Sequence, residues 1–181
     1  MNKIIHRADT RGYANHGWLK SHHTFSFANY YDPNRIHFGA LRVLNDDSVK
    51  GGMGFGAHPH DNMEIVSIVL DGALEHKDNT GKNEVIRKND IQLMSAGTGV
   101  IHSEFNSSKT EDVNFLQIWV FPNERNVTPR YAQKTFDPAT RENTLQVVIS
   151  PDRTEGNLWL HQDAWFSLGK FDAGKTVDIR P

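Results

Sequence analysis

Four side chains fall at spacings that could build one metal site. They are His58 and His60 in Gly56–Glu64 (GAHPHDNME), and His102 and Glu104 in Gly97–Asn106 (GTGVIHSEFN). In an extended strand the side chains at i and i+2 project to the same face, so each pair can present two donors side by side. Three imidazoles and a carboxylate suit a divalent transition metal, since imidazole binds Zn, Cu, Fe and Ni. The chain has no cysteine, which excludes disulfides, thiolate ligands and a cysteine nucleophile. One HxH among ten histidines is a weak signal, but two strand-spaced pairs beside glycine turns are a strong one.

Other polar residues take their reading from strand parity. Counting by twos from His58 places His60, Asn62, Glu64, Val66, Ile68 and Leu70 on one face of an unbroken strand, with the donors at one end and aliphatics at the other. Glu64 then either supports the site or lies on the surface, should Pro59 or a bulge reset the parity. His23 shares a face with Phe25 and Phe27 and reads as a core or pocket-wall histidine. Gln117 shares the parity of Trp119 and Phe121, which read as core, and is the pocket candidate because a buried amide needs a hydrogen-bond partner. His6, His16, His37, His76 and His161 have no partner at ligand spacing and read as surface or loop residues.

The elements that must position these residues read as short strands. Trp18–Tyr31 alternates like a strand ended by the turn Asp32-Pro33-Asn34, and Phe38–Asn45 is a second, closed by Asp46-Asp47. Gly51, Gly52, Gly54 and Gly56 fit a bend or a close backbone contact before His58. Ala73–Asp78 and Asn83–Arg87 flank a turn and predict a hairpin, followed by Ile91–Met94, the strand carrying His102, and the apolar strand Phe115–Phe121. Thr128–Phe136 reads as a linker. Gln146–Ile149, Leu158–His161, Trp165–Phe171 and Thr176–Ile179 are further strand candidates, too few to close a second barrel alone. With no long amphipathic helix, the fold class is all-β, a sandwich or barrel whose interior can gather inward histidines.

Composition narrows the partners. A chain of 181 residues holds one sizeable core, or one domain and part of another. Its formal charge of -2, with Lys and Arg scattered, supports neither a nucleic-acid partner nor a membrane surface. No stretch approaches the roughly 18 apolar residues of a spanning helix and the start lacks a signal-peptide pattern, so a cytoplasmic protein is expected. No phosphate-binding glycine loop or GxSxG elbow occurs.

The pattern G…HxH…E…G followed by GxGxxHxExN resembles the two motifs of the cupin superfamily, with His58, His60, Glu64 and Gly72 in the first and Gly99, His102 and Asn106 in the second. Gly97 stands where many cupins have proline. Trp18–Pro33, Leu41–Asp46, His58–Gly72, Ser95–Asn106, Leu116–Val120 and Thr128–Tyr131 are more closely similar to the pirin branch, in particular to bacterial pirin-like proteins.

That resemblance implies a jelly-roll cupin over residues 1–130, then a linker and the opening strands of an incomplete second cupin over 131–181. It implies His58, His60, His102 and Glu104 as metal ligands, with Glu64 in support. The implied metal is iron(II) first, with Cu, Ni, Mn or Zn as alternatives. The implied activity is the oxygenolytic opening of flavonols such as quercetin by dioxygen, with Glu104 as the base. A metal-dependent regulatory module without turnover is the alternative reading. An incomplete second cupin would leave an open sheet edge, from which association into a homo-oligomer is expected.

Overall fold

The computed structural model describes residues 4–153 and 156–178. The chain begins with strands β1 (Gly12–Asn15), β2 (Leu19–His23), β3 (Leu41–Val49) and β4 (Gly54–His60). It continues through β5 (Glu64–Asp71), β6 (Ala73–Asp78), β7 (Asn83–Arg87), β8 (Asp90–Ser95) and β9 (Val100–Asn106). After β10 (Val113–Val120) and β11 (Arg130–Thr135), a smaller C-terminal part adds β12 (Gln146–Ser150), β13 (Leu158–Trp159) and β14 (Phe166–Leu168). Among the described residues there is no α-helix, and so none long and apolar enough to cross a membrane.

Three sheets result, ordered β1-β2-β3-β10-β5-β8-β11, β4-β9-β6-β7 and β13-β12-β14. The seven-stranded sheet is covered on both faces. Its inner face packs on the four-stranded sheet, where Leu19, Val49, Val69, Val113 and Phe115 meet Leu74 and Ile86. Its outer face packs on the C-terminal part, where Val66, Ile68, Ile91, Leu93, Ile118 and Val120 meet Val148, Ile149, Leu158 and Leu160. Two-sided burial explains why β5 reads EIVSIV without polar alternation, since every residue from Glu64 to Val69 is buried.

Several boundaries differ from those predicted. His58–Leu70 is not one strand: the chain breaks at Asn62, whose φ of 44° lies in the left-handed region that Asn tolerates, and crosses from the four-stranded to the seven-stranded sheet. Asp46-Asp47 is not a turn. β3 runs through both, because Asp47 points into the interior, and the chain reverses at Gly52 with φ 73°. The Trp18–Tyr31 strand ends at His23, and Phe27–Tyr30 closes a turn around Ala28 at φ 48°.

Thr128–Phe136 is not a linker either. β11 pairs with β8 from Arg130–Ser95 to Thr135–Asp90, tied down by the Gln133 amide and Thr135 hydroxyl, which both donate to the Asp90 carboxylate. The seven-stranded sheet therefore extends to Thr135. Of the last strand candidate, Thr176–Asp178 forms no strand, and Ile179 lies outside the described residues.

Candidate metal centre

β4 and β9 run antiparallel in a register that sets His58 directly opposite His102 and His60 opposite Val100. The three imidazoles form a triangle, with ring centroids 4.4 Å apart for His58–His102 and 4.9 Å for both His58–His60 and His60–His102. One nitrogen from each lies within 4.8 Å of the other two. A register shift between Phe55 and His58 turns the histidine end of β4 inward. Gly54 lets β4 come this close, because a Cβ there would lie 2.4 Å from the Glu104 carbonyl oxygen.

The free lone pairs fit a cation. The His58 Nδ1–H donates to the Gly56 carbonyl at 2.8 Å, leaving Nε2 as the acceptor. His102 Nε2 is buried without a hydrogen-bond partner among the described residues. Burial, helped by the neighbouring His58, lowers His60 to about 4. Burial and the surrounding His58, His60 and His76 lower His102 to about 2. Both rings are thus neutral at physiological pH, the form that binds metal.

Glu104 is buried on the same strand, but both its oxygens are engaged elsewhere. Oε1 accepts from the Ser67 hydroxyl at 3.2 Å, and Oε2 accepts from the Gln117 amide at 2.8 Å. Gln117 lies opposite both Asn45 and Ser67, so one polar row crosses the inner face of the large sheet. Burial pushes the Glu104 carboxyl up to about 7; Ser67 opposes the rise and Asp47 adds to it. The close set of donors containing Glu104 includes His102 and His76, but not His58 or His60. The structure therefore gathers the three predicted histidines and sets the carboxylate deeper, behind His102.

A cavity of about 430 Å³ adjoins the site, lined by Trp18, Phe27, Phe55 and Trp119, by Asn45, Asp47 and Gln117, and by His58, His60 and Glu104. Trp119, read as core from the sequence, is a pocket wall that meets the His60 ring edge-on at 4.9 Å. His23 is buried behind that wall, 5.3 Å from the Phe27 ring.

Glu64 lies on the opposite face of the large sheet, away from the three histidines. Its carboxylate accepts from the Ser95 hydroxyl at 2.9 Å and from His161 Nδ1 at 3.1 Å. Its parity was reset by the break at Asn62.

Two histidines read as surface residues are not. His161 joins the C-terminal part to Glu64, and His76 is fully buried. His76 Nδ1 lies 3.4 Å from His102 Nδ1, its Nε2 lies 2.9 Å from Asp78 Oδ2, and its ring stacks 4.7 Å from Tyr131. Burial lowers His76 against the pull of Asp78. The signal for His76 was present in β6, where it shares the parity of the apolar Leu74.

Known proteins share the sequence and the fold of this chain. The pirin family profile matches residues 5–120, and one described as the quercetinase C-terminal cupin domain matches 147–180. The quercetin 2,3-dioxygenase of Escherichia coli is 53% identical over 159 residues, which are 88% of this chain and 68% of that protein. A putative quercetin 2,3-dioxygenase of Mycobacterium bovis is 49% identical over 177 residues, 97% of this chain and 72% of the relative. A bacterial pirin of Escherichia coli, solved in complex with nickel(II), superposes with a TM-score of 0.82 at 53% identity, covering 87% of this chain and 66% of that one. The chain thus spans about two thirds of the length of these E. coli relatives. With a profile match over most of its length and the expected histidines gathered at one end of a jelly-roll barrel, the chain belongs to the pirin family.

Proposed function

We propose that the chain is a metal-dependent dioxygenase that opens the heterocyclic ring of flavonols such as quercetin, with dioxygen as the oxidant and the source of the oxygen incorporated. One observation carries this reading: three imidazoles converge at the end of an aromatic-walled cavity that also holds a buried carboxylate. The quercetin 2,3-dioxygenase name borne by close relatives supports it.

His58, His60 and His102 would hold the ion, with Glu104 as the adjoining carboxylate donor, and iron(II) is the metal we propose. The ion supplies Lewis acidity toward the deprotonated substrate oxygen and the means to engage dioxygen. The cavity of about 430 Å³ suits a drug-sized flat molecule, and Trp18, Phe27, Phe55 and Trp119 would hold its rings and exclude water. Glu104 accepts the proton of the flavonol 3-hydroxyl. Ser67 and Gln117, donating to its two oxygens, hold the carboxylate in one orientation for that transfer.

The test is oxygen uptake by iron-reconstituted protein of known metal content, with quercetin present and a metal-free control. Metal-dependent uptake matched to quercetin loss is expected. Full metal occupancy without uptake would overturn the proposal and favour a regulatory module.

A further inference from the structure

We infer that Asp78 and His76 form a hydrogen-bonded chain that sets which nitrogen of His102 faces the metal, making them positioning residues for the centre. The inference rests on the metal-site reading above, but its first readout needs no metal.

The geometry leaves one arrangement of protons. Asp78 Oδ1 is fully engaged, accepting from the Thr80 N–H at 2.8 Å, the Thr80 hydroxyl at 2.6 Å and the Lys82 N–H at 3.2 Å. Asp78 Oδ2 faces His76 Nε2 at 2.9 Å, and a carboxylate can only accept there, so His76 Nε2 carries the hydrogen. The other nitrogen of a neutral imidazole is then an acceptor. His76 Nδ1 faces His102 Nδ1 at 3.4 Å, and one hydrogen must lie between them, so it belongs to His102. His102 Nε2 is left with a bare lone pair, and it is a buried atom with no hydrogen-bond partner among the described residues.

Strand pairing builds this chain in. β6 lies beside β9 with His76 opposite Glu104 and Asp78 opposite His102, so the two histidines meet on the diagonal. The Asp78 and His76 side chains are 1% and 0% exposed, which keeps water from competing for either bond. Groups bonded to the distal nitrogen of a ligand histidine fix its tautomer and raise its basicity, and their loss typically costs 10–100-fold in metal affinity. The unusual feature here is that a second histidine stands between the carboxylate and the ligand.

Asp78→Asn is the sharpest test because it is isosteric and leaves every ligand in place. Three donors hold the amide oxygen at the Oδ1 position, so the amide NH₂ turns toward His76 Nε2. His76 must then accept at Nε2 and carry its hydrogen on Nδ1, which forces His102 to accept at Nδ1 and to carry hydrogen on Nε2, the atom meant for the metal. Nitrogen-15 NMR of the metal-free protein is expected to show His102 changing from the Nδ1–H to the Nε2–H tautomer. Calorimetric titration with nickel(II) is expected to show affinity falling about 10–100-fold.

His76→Gln serves as the rescue. Its amide can donate to Asp78 and accept from His102 Nδ1–H, so it should keep the wild-type tautomer and near-wild-type affinity, whereas His76→Leu should lose both. An unchanged tautomer and affinity in Asp78→Asn would overturn the inference alone. Loss of affinity in His76→Gln equal to that in His76→Leu would also overturn it, by making His76 itself a ligand beside His102 and Glu104. Failure of the wild-type protein to bind nickel(II) would overturn the metal reading, and the inference with it.

Discussion

The two faces of the seven-stranded sheet bury the same kinds of residue to opposite ends. The outer face joins aliphatic side chains of the main body to Val148, Ile149, Leu158 and Leu160, and its buried glutamate, Glu64, receives hydrogen bonds from Ser95 and His161. The inner face carries, beside its own apolar cluster, a polar row that includes Asn45, Ser67 and Gln117. There His23 Nδ1, Asn45 Oδ1, Asp47 Oδ1, Trp119 Nε1 and both polar atoms of Gln92 are buried without partners among the described residues. An unmade buried hydrogen bond costs about 1–3 kcal/mol, a cost that a bound ligand or metal on this face would relieve. Burial alone therefore does not mark function in this sheet. Of the buried atoms left unpartnered among the described residues, Asn45 Oδ1, Asp47 Oδ1 and Trp119 Nε1 line the pocket and His102 Nε2 lies in the triangle, whereas Arg130 Nε, Arg141 Nη1 and Gln146 Oε1 lie elsewhere.

The largest effect that separates the faces is loss of the metal. His102→Ala removes the one triangle histidine that is fully buried, and metal content by mass spectrometry is expected to fall by more than the roughly 100-fold that loss of a mere supporting partner produces. Glu64→Gln, on the outer face, is expected to leave metal content unchanged. Equal losses in both variants would erase the distinction.

The two glutamates sharpen the comparison at the level of turnover. Glu104→Gln keeps the histidines and is expected to retain metal while turnover per bound metal drops by about 10²–10⁴-fold, the span general base catalysis usually supplies. Glu64→Gln should keep wild-type turnover and lose about 1–3 kcal/mol of stability to urea, because the bond with His161 is weakened. A Glu104→Gln enzyme with full activity would remove Glu104 from the base role.

A third difference appears in pH dependence. Burial pushes the Asp47 carboxyl up from 3.8 to about 6, against a Ser21 hydrogen bond and with help from Asp46. Between those values the folded state binds more protons than the unfolded chain, so this group's contribution to stability falls as pH rises through that window. Asp47→Asn abolishes the titration. It is expected to flatten stability between pH 4 and 6 and to leave the protein about 2–3 kcal/mol more stable at pH 7, as measured by urea unfolding of the metal-free protein. A steeper slope in the variant would show that Asp47 is stabilised, not strained, on the inner face.

The legible part of this protein was whatever strand periodicity and donor chemistry determine locally. The hairpin of β6 and β7, the strand carrying His102 and the pairing of two HxH-type spacings follow from alternation and turn residues, and they emerged where expected. The break at Asn62 was not legible, because one left-handed residue resets every parity downstream and moved Glu64 to the other face. Asp46-Asp47 has turn composition but lies in a strand, since a sheet tolerates a buried carboxylate where a pocket adjoins it. His76 reads as a surface residue because its histidine neighbour, His102, arrives from β9 through sheet pairing, although its carboxylate partner Asp78 stands only two residues on in the same strand. The β11 strand was missed because it is an edge strand, paired with β8, and its outward residues are polar.

The smallest expected effect tests the outer face by itself. Ile149 on β12 is fully buried in the cluster that joins the C-terminal part to β5, β8 and β10, and it pairs with Leu158 of β13. Ile149→Val deletes one methyl group there and typically costs 0.5–1.5 kcal/mol, provided the C-terminal part unfolds together with the main body. Urea unfolding followed by both tryptophan fluorescence and far-ultraviolet circular dichroism should then give a single shifted midpoint with an unchanged slope. Metal affinity should not move, because the substitution lies across a full sheet thickness from the histidine triangle. Two separated transitions, with only the first shifted, would mean that the outer face is a docked layer whose stability is independent of the barrel. The contrast between the faces would then be one between two folding units and not between two uses of one core.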